Sequence, residues 1–226
     1  MRPFAAGAKM AHPEGMGFYR TYLLPRLTDR VMRVEEFTRM RARVMTGLAG
    51  EVLEVGFGSG LNVPHYPASV KRILAVDPAA AGQKLAAARV AASPVPVEYI
   101  GTDAQALPLP DSSVDHAVST WTLCTIPDVP RALAEIRRVL RPGGTLHFVE
   151  HGHSPDGKVA RTQDRFTPLQ RLVAGGCHLN RPIDRLLAAA GLDITELSTF
   201  YMNGPRAWGY TFEGVATRPA DDRNGT

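Results

Sequence analysis

The sequence predicts an α/β fold built on a mostly parallel sheet, and three observations lead to this prediction. Short apolar runs alternate with helical patterns from residue 51 onwards, which is the order found in sheets that helices cover on both faces. The first apolar run ends in a glycine-rich turn over residues 56–60. The last two runs are joined too closely for a helical crossover, so they should be antiparallel neighbours.

Length and composition bound the rest of the prediction. The chain has 226 residues, of which 44% are hydrophobic and 21% charged, as expected of one globular domain. No apolar run approaches the roughly 18 residues of a membrane-spanning helix, and the first 25 residues show no secretory signal. We therefore expect a cytoplasmic protein in which Cys124 and Cys177 stay reduced.

The positive charge of the chain is concentrated near its start. Residues 1–50 hold nine Arg and Lys against four Asp and Glu, whereas the two classes nearly balance in residues 51–226. The arginines alternate with apolar residues, which is typical of the solvated side of a helix. An arm that attracts acidic substrates or a lipid surface is the alternative, and it leaves peripheral membrane contact open.

The elements follow in order along a single domain. Residues 18–46 carry apolar side chains at spacings of three and four, which predicts helices divided at Pro25 and lying as a lid over the sheet. A cofactor-binding half over 51–151 and an acceptor-side half over 152–218 follow, between flexible tails at 1–17 and 219–226. Seven strands are predicted at 51–55, 72–76, 95–100, 114–121, 145–151, 194–201 and 210–218, and helices at 79–92, 129–140 and 183–190. The rest of 152–182 is predicted to be irregular.

The end of the first strand holds the first candidate ligand-binding residues. It delivers Glu54 and then Gly56, Gly58 and Gly60, where the missing side chains let a ligand approach the backbone. The next strand ends at Asp77, whose carboxylate can accept hydrogen bonds from both hydroxyls of a ribose. A dinucleotide fingerprint would need glycine at position 61, which is leucine, so the spacing disfavours a nicotinamide cofactor.

Three further motifs complete an ordered set. They are Gly101-Thr-Asp-Ala104 followed by residues 107–115, then Ala117-Val-Ser-Thr-Trp-Thr-Leu-Cys124, and Val139-Leu-Arg-Pro-Gly-Gly-Thr-Leu146. Together with the glycine turn they resemble the class I S-adenosylmethionine-dependent methyltransferases over residues 51–151. The resemblance implies their Rossmann-like seven-stranded sheet, mostly parallel with an antiparallel last strand, and S-adenosylmethionine as cofactor.

The resemblance also implies roles for single residues. Gly56, Gly58 and Gly60 would pass beneath the methionine part of the cofactor, with Glu54 facing its ammonium group and Thr120 lining the same side. Asp77 would hold the ribose, and Asp103 with the Ala104 amide would hold the adenine. The implied cofactor set also includes Phe57, Ser59, Asn62 and Pro78. Pro64 and Pro67 depart from the family pattern and predict that any helix after the glycine turn is short.

A narrower resemblance bears on the methyl acceptor. The segments 120–124, 140–144, Glu150-His151 and 177–181 are similar to the small methyltransferases related to the membrane-associated alkyl thiol S-methyltransferases. Those relatives carry an apolar N-terminal anchor that is not visible in this sequence. The resemblance implies S-methylation of a small-molecule thiol, with a lipid headgroup or a quinone-type acceptor as the alternative.

Candidate groups on the acceptor side follow from position and chemistry. His151 at the end of the fifth strand is the first candidate for a general base and His178 the second, although either could be a structural histidine. The spacing of the histidines and cysteines along the chain fits no closed zinc site, so no metal is expected. The predicted acceptor pocket is lined by Tyr19, Trp121, Cys124, Tyr201 and Trp208. Cysteine in such a position is more often a small buried hydrophobe, and aromatic residues at this spacing are usually core.

Other function classes are less well supported. A protein that binds the cofactor without turnover would not need Glu54, Asp77 and Asp103 together. Nucleic acid is not expected as a partner, because the basic residues form no coherent stripe and no Asn-Pro-Pro-aromatic motif follows the fourth strand. No sequence pattern identifies the individual methyl acceptor or the oligomeric state.

Overall fold

The computed structural model of the chain describes residues 17–220. The predicted tail over 1–17 lies outside this range except for Gly17, as do residues 221–226 of the predicted C-terminal tail. Within the described residues the strands are β1 (Gly50–Val55), β2 (Val70–Val76), β3 (Val97–Gly101), β4 (Val114–Thr120), β5 (Leu140–His151), β6 (Asp193–Tyr201) and β7 (Tyr210–Thr217). The α-helices are α1 (Leu24–Val31), α2 (Glu35–Val44), α3 (Ala80–Ala91), α4 (Val129–Val139), α5 (Gly157–Val173), α6 (Ile183–Ala189) and the single turn α7 (Arg206–Gly209).

The seven strands form one sheet in the order β3-β2-β1-β4-β5-β7-β6. β1 pairs in parallel with both β2 and β4, whereas β7 is antiparallel to β5 and to β6. The predicted fold class is confirmed, including the antiparallel last strand. The order reverses between β1 and β4, and open sheets of this kind bind ligands beyond the strand ends at such a switch point.

A hydrophobic core covers each face of the sheet. One cluster joins alternate residues of β1 and β4, such as Leu53 and Ala117, to the buried side of α4, including Leu133 and Ile136. The other joins Val52 and Val118, which point to the opposite face, to Met40 of α2. This alternation holds β1 and β4 rigidly between two cores, so their carboxyl ends are fixed in space.

The N-terminal helices differ from the prediction. The chain bends at residues 32–34 instead of at Pro25, which lies in the first turn of α1, where a missing N–H costs nothing. A five-residue π-helix, Tyr19–Leu23, precedes α1. The apolar residues of α2 are buried at Met40 and Val44, but Leu27 and Val31 of α1 are exposed.

The segment predicted to be irregular contains the 17-residue helix α5. Asp156 caps its start by accepting hydrogen bonds from the amides of Lys158 and Val159. The helix buries a stripe of Val159, Gln163 and Thr167. Two of these three are polar, so the usual apolar signal of a packed helix is missing from the sequence.

Smaller differences concern strand ends. β5 begins at Leu140 instead of at residue 145, because Leu140 already pairs with Val114 of β4. The short helix expected after the glycine turn is confirmed as one 3₁₀ turn, Val63–His65.

Candidate active site

The glycine turn, residues 56–60, leaves β1 in a conformation that only glycine adopts easily. Gly56, Gly58 and Gly60 all have positive φ, at 77°, 54° and 71°. A Cβ on Gly56 would lie 2.0 Å from Oγ1 of Thr122, so this glycine also permits close packing against the segment after β4. The glycine turn is thus shaped both by its backbone and by its neighbour.

Asp77 fixes the glycine turn to the end of β2. Its Oδ2 accepts a hydrogen bond from the Gly58 amide at 2.7 Å, and its Oδ1 accepts one from the Ala79 amide at 2.7 Å. Burial raises the pKa of this carboxyl, although both amides favour the charged form. Each oxygen keeps a lone pair that can accept a hydroxyl, as the predicted ribose role requires. Pro78 lies between Asp77 and the amide of Ala79.

A buried polar cluster lies beneath the glycine turn. Oε1 of Glu54 accepts a hydrogen bond from Nδ2 of Asn62 at 2.8 Å, and its Oε2 accepts one from the Tyr66 hydroxyl at 2.7 Å. Burial raises the pKa of Glu54 to about 7. Asn62 also donates to Oγ1 of Thr120 at 3.1 Å, which ties the ends of β1 and β4 together.

Arg41 completes this cluster from the N-terminal side. Its Nη1 donates to Oδ1 of Asn62 at 2.8 Å and to Oγ1 of Thr120 at 3.1 Å, and its guanidinium lies 4.8 Å from the centre of the Trp121 ring. Burial lowers its pKa to about 10, and among the described residues its buried Nε has no hydrogen-bond partner. This residue was not predicted from the sequence. An arginine on the apolar stripe of α2, between Phe37 and Val44, was the available signal.

Trp121 has an unusual backbone. Its φ is +50°, a conformation that a bulky residue adopts only under constraint, and such constraint is concentrated at functional sites. Phe37 of α2 packs edge-on against its ring, with centroids 5.0 Å apart. The buried indole Nε1 finds no partner among the described residues. Trp121 therefore lies between the polar cluster and the N-terminal helices.

The other predicted cofactor residues have partners of their own. Phe57 is buried against Tyr99, with ring centroids 5.3 Å apart. The Ser59 carbonyl accepts a hydrogen bond from Nη1 of Arg89 at 2.6 Å, and Nη2 of the same arginine pairs with Asp29 of α1 at 3.1 Å. These contacts place α1 against the glycine turn.

The adenine side is more open. Asp103 is exposed, and its Oδ1 accepts hydrogen bonds from the amide and the side chain of Gln105, both at 2.8 Å. These bonds lower the pKa of Asp103, the side-chain bond being the larger cause. Ala104 next to it is buried. The carboxylate is charged and accessible at the place where the resemblance puts the adenine amino group.

On the acceptor side, His151 and both cysteines come together. Nε2 of His151 lies 3.1 Å from Sγ of Cys177, and the ligand atoms of Cys124, His151 and Cys177 all lie within 4.8 Å of one another. The hydrogen bonds from Cys124 and His151 lower the pKa of Cys177. Burial disfavours the charged imidazole, but the Cys177 sulfur outweighs this and raises the pKa of His151.

His178 has a different environment. Its Nδ1 lies 3.0 Å from the carbonyl of Cys124 and 3.2 Å from Nη2 of Arg181, and its backbone amide donates to the same carbonyl at 2.9 Å. Burial lowers its pKa. These contacts anchor the segment after α5, so they favour the structural interpretation of His178 over the catalytic one.

The predicted pocket residues are not brought together. Trp121 and the buried Cys124 lie in the turn after β4, but Tyr201 packs into the opposite core, and its hydroxyl lies 2.6 Å from Oγ of Ser154. Trp208 is exposed and donates to Gln170 of α5 at 3.1 Å, and the Tyr19 hydroxyl donates to the carbonyl of Val173 at 2.8 Å. Phe200 and Met202 pack on the Trp121 side instead.

Known proteins are similar to this chain in sequence and fold. A family model described as a methyltransferase domain matches residues 53–148. The human thiol S-methyltransferase TMT1B is 33% identical over 174 residues, which cover 72% of this chain and 70% of the human protein. The chain belongs to the class I S-adenosylmethionine-dependent methyltransferases.

Two other relatives bear on acceptor and fold. The phosphatidylethanolamine N-methyltransferase of Cereibacter sphaeroides is 29% identical over 169 residues, covering 73% of this chain and 81% of that protein. A SAM-dependent methyltransferase structure from Aquifex aeolicus has a TM-score of 0.59 and 18% identity, covering 85% of this chain and 97% of its own. This last similarity concerns the fold.

The residues of this methyltransferase fit S-adenosylmethionine, its methyl donor. The glycine turn leaves open backbone at Gly58, where an added Cβ would meet only the Gly56 carbonyl, at 3.8 Å. The buried Nε atoms of Arg41 and Trp121 need hydrogen-bond acceptors, which the donor's carboxylate can supply. None of the helices within residues 17–220 is long and apolar enough to cross a bilayer.

Proposed function

We propose that this methyltransferase transfers its methyl group to the sulfur of a small thiol. The observation that carries the proposal is the partly buried contact between Nε2 of His151 and Sγ of Cys177, 3.1 Å apart, which shows an imidazole beside a sulfur in surroundings that favour a thiolate. The name of the human relative, a thiol S-methyltransferase, agrees with it.

The acceptor groups lie against the glycine turn. Thr122, whose side chain fills the space over Gly56, donates its backbone amide to Oε1 of Glu150 at 2.9 Å. Glu150 is fully buried and directly precedes His151. The turn after β4 therefore contacts both Gly56 and the residue before His151. A thiol bound near His151 would lie close to the residues proposed to hold the donor, and in-line transfer requires such closeness.

The donor brings a methyl carbon already activated by its sulfonium, which departs as a neutral thioether. The chain must therefore hold the acceptor, keep out water and take up one proton. We assign the proton to Nε2 of His151, with His178 as the second candidate. The thiolate sulfur then forms the new bond to the methyl carbon, so charge and atoms balance.

The cofactor roles proposed from the sequence remain proposals, with one addition. Asp77 would bind the ribose hydroxyls, and Asp103 with the Ala104 amide would bind the adenine. Glu54 would face the ammonium group through its neighbours. Arg41 would pair with the donor's carboxylate, since its guanidinium is buried and points at Asn62 and Thr120 of the same cluster.

A lipid acceptor is the second candidate, and the surface of the N-terminal helices favours it. Phe18 is 68% exposed and Leu27 50% exposed, and Leu169 of α5 is 56% exposed. The Tyr19 contact with Val173 joins these two surfaces. Basic amphipathic helices of this type lie on anionic membranes, and one relative is a phosphatidylethanolamine N-methyltransferase.

A panel of acceptors tests the proposal. The reduced full chain is incubated with methyl-labelled donor and with alkyl thiols, amines, phenols, quinols or phosphatidylethanolamine vesicles, and the products are identified by mass. We expect methyl thioethers, with tighter binding by up to about 0.8 kcal/mol for each methylene that is buried. Methylation of a quinol or a lipid amine at a much higher rate than of any thiol would overturn the thiol assignment.

A further inference from the structure

Cys124, His151 and Cys177 form a compact group that a catalytic base does not explain. We call these three residues the Cys–His–Cys cluster. They come from separate parts of the chain: the turn after β4, the last residue of β5 and the segment after α5. A base needs one imidazole, yet the fold also brings two thiols to it, and both are buried.

The distances suit a metal ion. All three ligand atoms lie within 4.8 Å of one another, and Nε2 of His151 is 3.1 Å from Sγ of Cys177. Zinc bonds of about 2.3 Å to sulfur and about 2.0 Å to nitrogen place tetrahedral donors roughly 3.5–3.8 Å apart. The widest separation, at most 4.8 Å, therefore exceeds the tetrahedral spacing by no more than about 1 Å.

The backbone around the cluster is fixed by hydrogen bonds. The carbonyl of Cys124 accepts from the amide of His178 at 2.9 Å, which ties the first cysteine to the residue after the second. Oε1 of Glu150 accepts from the amide of Leu123 at 3.1 Å, and Arg181 donates to the carbonyl of Ile126 at 2.6 Å. The three ligands are thus held in place before any ion arrives, which lowers the entropic cost of binding.

Charge also balances. Two thiolates neutralise a divalent cation, and the buried Glu150 carboxylate and Arg181 guanidinium beside the cluster offset each other. Sulfur and imidazole donors together select thiophilic ions over magnesium or calcium. We propose that the Cys–His–Cys cluster binds one thiophilic divalent cation of the Zn²⁺ class.

Spacing along the chain alone predicts no metal site at these residues. His151 and Cys177 are 26 residues apart, unlike the short repeats of zinc fingers. The structure brings them together through sheet and helix packing, which no local motif records.

Three protein ligands leave a fourth position free. Sites of this kind hold water or substrate there. If the thiol acceptor proposed above is correct, on which this step rests, the acceptor sulfur can occupy that position as a thiolate. The cation would then stabilise the thiolate in place of His151, whose Nε2 would be bound to it, and the proton of the acceptor thiol would pass to solvent.

Cobalt binding tests the site without donor or acceptor. The full chain is reduced, freed of metal with a chelator and titrated with Co²⁺ while thiolate-to-metal absorption is recorded. The chain has two cysteines, so the absorption reports this cluster directly. We expect one Co²⁺ per chain, displacement by Zn²⁺ and release of about two protons per metal ion.

Variants assign the ligands. Cys124→Ser, Cys177→Ser and His151→Gln should each weaken metal binding at least tenfold, and His153→Gln, outside the cluster, should change it less than twofold. Circular dichroism and donor binding confirm that each variant is folded. Absence of the absorption band at millimolar Co²⁺, or binding unchanged in the double serine variant, would overturn the metal site. Either result leaves the thiol acceptor to be decided by product analysis.

Discussion

The proposed donor-binding and acceptor-binding residues lie at the same edge of the sheet but are assembled differently. The glycine turn, Glu54 and Asp77 are joined by residues close in sequence: Asn62 bonds Glu54 eight residues away, and Asp77 bonds Gly58 over 19 residues. Thr120 joins them from farther along the chain, 58 residues from Asn62 and 79 from Arg41. The acceptor side joins residues far apart, such as Cys124 and His178, which are separated by 54. Local order allows the first to be recognised from sequence, whereas the second exists only after the sheet has formed.

Substitutions in the glycine turn should have the largest effect, which is a loss of folding stability. Gly56→Ala should lower the free energy of unfolding by about 3 kcal/mol, because its Cβ collides with Thr122 and its φ is positive. Gly58→Ala meets no close neighbour and should cost about 1 kcal/mol of stability, yet weaken donor binding about tenfold.

Chemical denaturation and calorimetry separate these two outcomes. Gly56 packs against Thr122, whereas the proposed role of Gly58 is to leave room for the donor. Equal loss of stability in both variants would show that the glycine turn is constrained by backbone conformation only.

Glu54 predicts a pH dependence of stability on the cofactor side. Burial raises its pKa from 4.5 to about 7, so the folded state keeps a proton that the unfolded state loses between these values. Its contribution to stability is full below pH 4.5 and is lost as the pH rises through about 7, a fall of about 3 kcal/mol.

Glu54→Gln should remove this fall. Unfolding free energies at pH 5 and pH 8 are compared for the wild type, for Glu54→Gln and for Glu98→Gln, an exposed carboxylate on β3. If the difference between the two pH values is the same in wild type and Glu54→Gln, the buried carboxyl is already ionised.

His151 tests the acceptor side. His151→Gln should reduce turnover with thiols by roughly 10²-fold and flatten the rise of rate with pH, because the thiolate is the reactive form. His178→Gln is the matched variant and should keep most of the pH dependence. A larger loss of turnover in the His178 variant would assign the role of base to His178 instead of His151.

Substitution of Asp77 should weaken donor binding more than substitution of Asp103. Asp77→Ala should weaken donor binding about 30-fold, since charge-assisted bonds to the ribose and the bond to the Gly58 amide are both lost. Asp103→Ala should cost about fivefold, because its carboxylate is exposed and shared with Gln105. Isothermal titration measures both. Similar losses would contradict the assignment of the ribose to the buried residue.

The features that could be predicted from the sequence are those formed by residues close together along the chain. Strand positions and the glycine turn were predictable, because apolar runs and the glycine spacing are local signals. Helix α5 was not, because Gln163 and Thr167 fill its buried stripe while Phe166 and Leu169 face outward. Arg41 was not predicted, because its hydrogen bonds to Asn62 and Thr120 join residues that are distant in sequence and meet only in the folded chain.

The acceptor was the least predictable part. Trp121 and Cys124 lie together in the turn after β4, where their role in a pocket stays a prediction, but Tyr201 could not be assigned to a face until the register of β6 against β7 was known. Side chains alternate along a strand, so Phe200 and Met202 occupy the side expected for Tyr201.

One competition experiment tests the central proposal most directly. The full chain receives donor with a deuterated methyl group, a small alkyl thiol and phosphatidylethanolamine vesicles in one reaction, and both products are quantified by mass spectrometry. We expect deuterated methyl thioether to exceed methylated lipid at least tenfold, and the excess to fall in His151→Gln. Predominant methylation of the lipid amine, unaffected by His151→Gln, would contradict a thiol acceptor at the carboxyl end of β5.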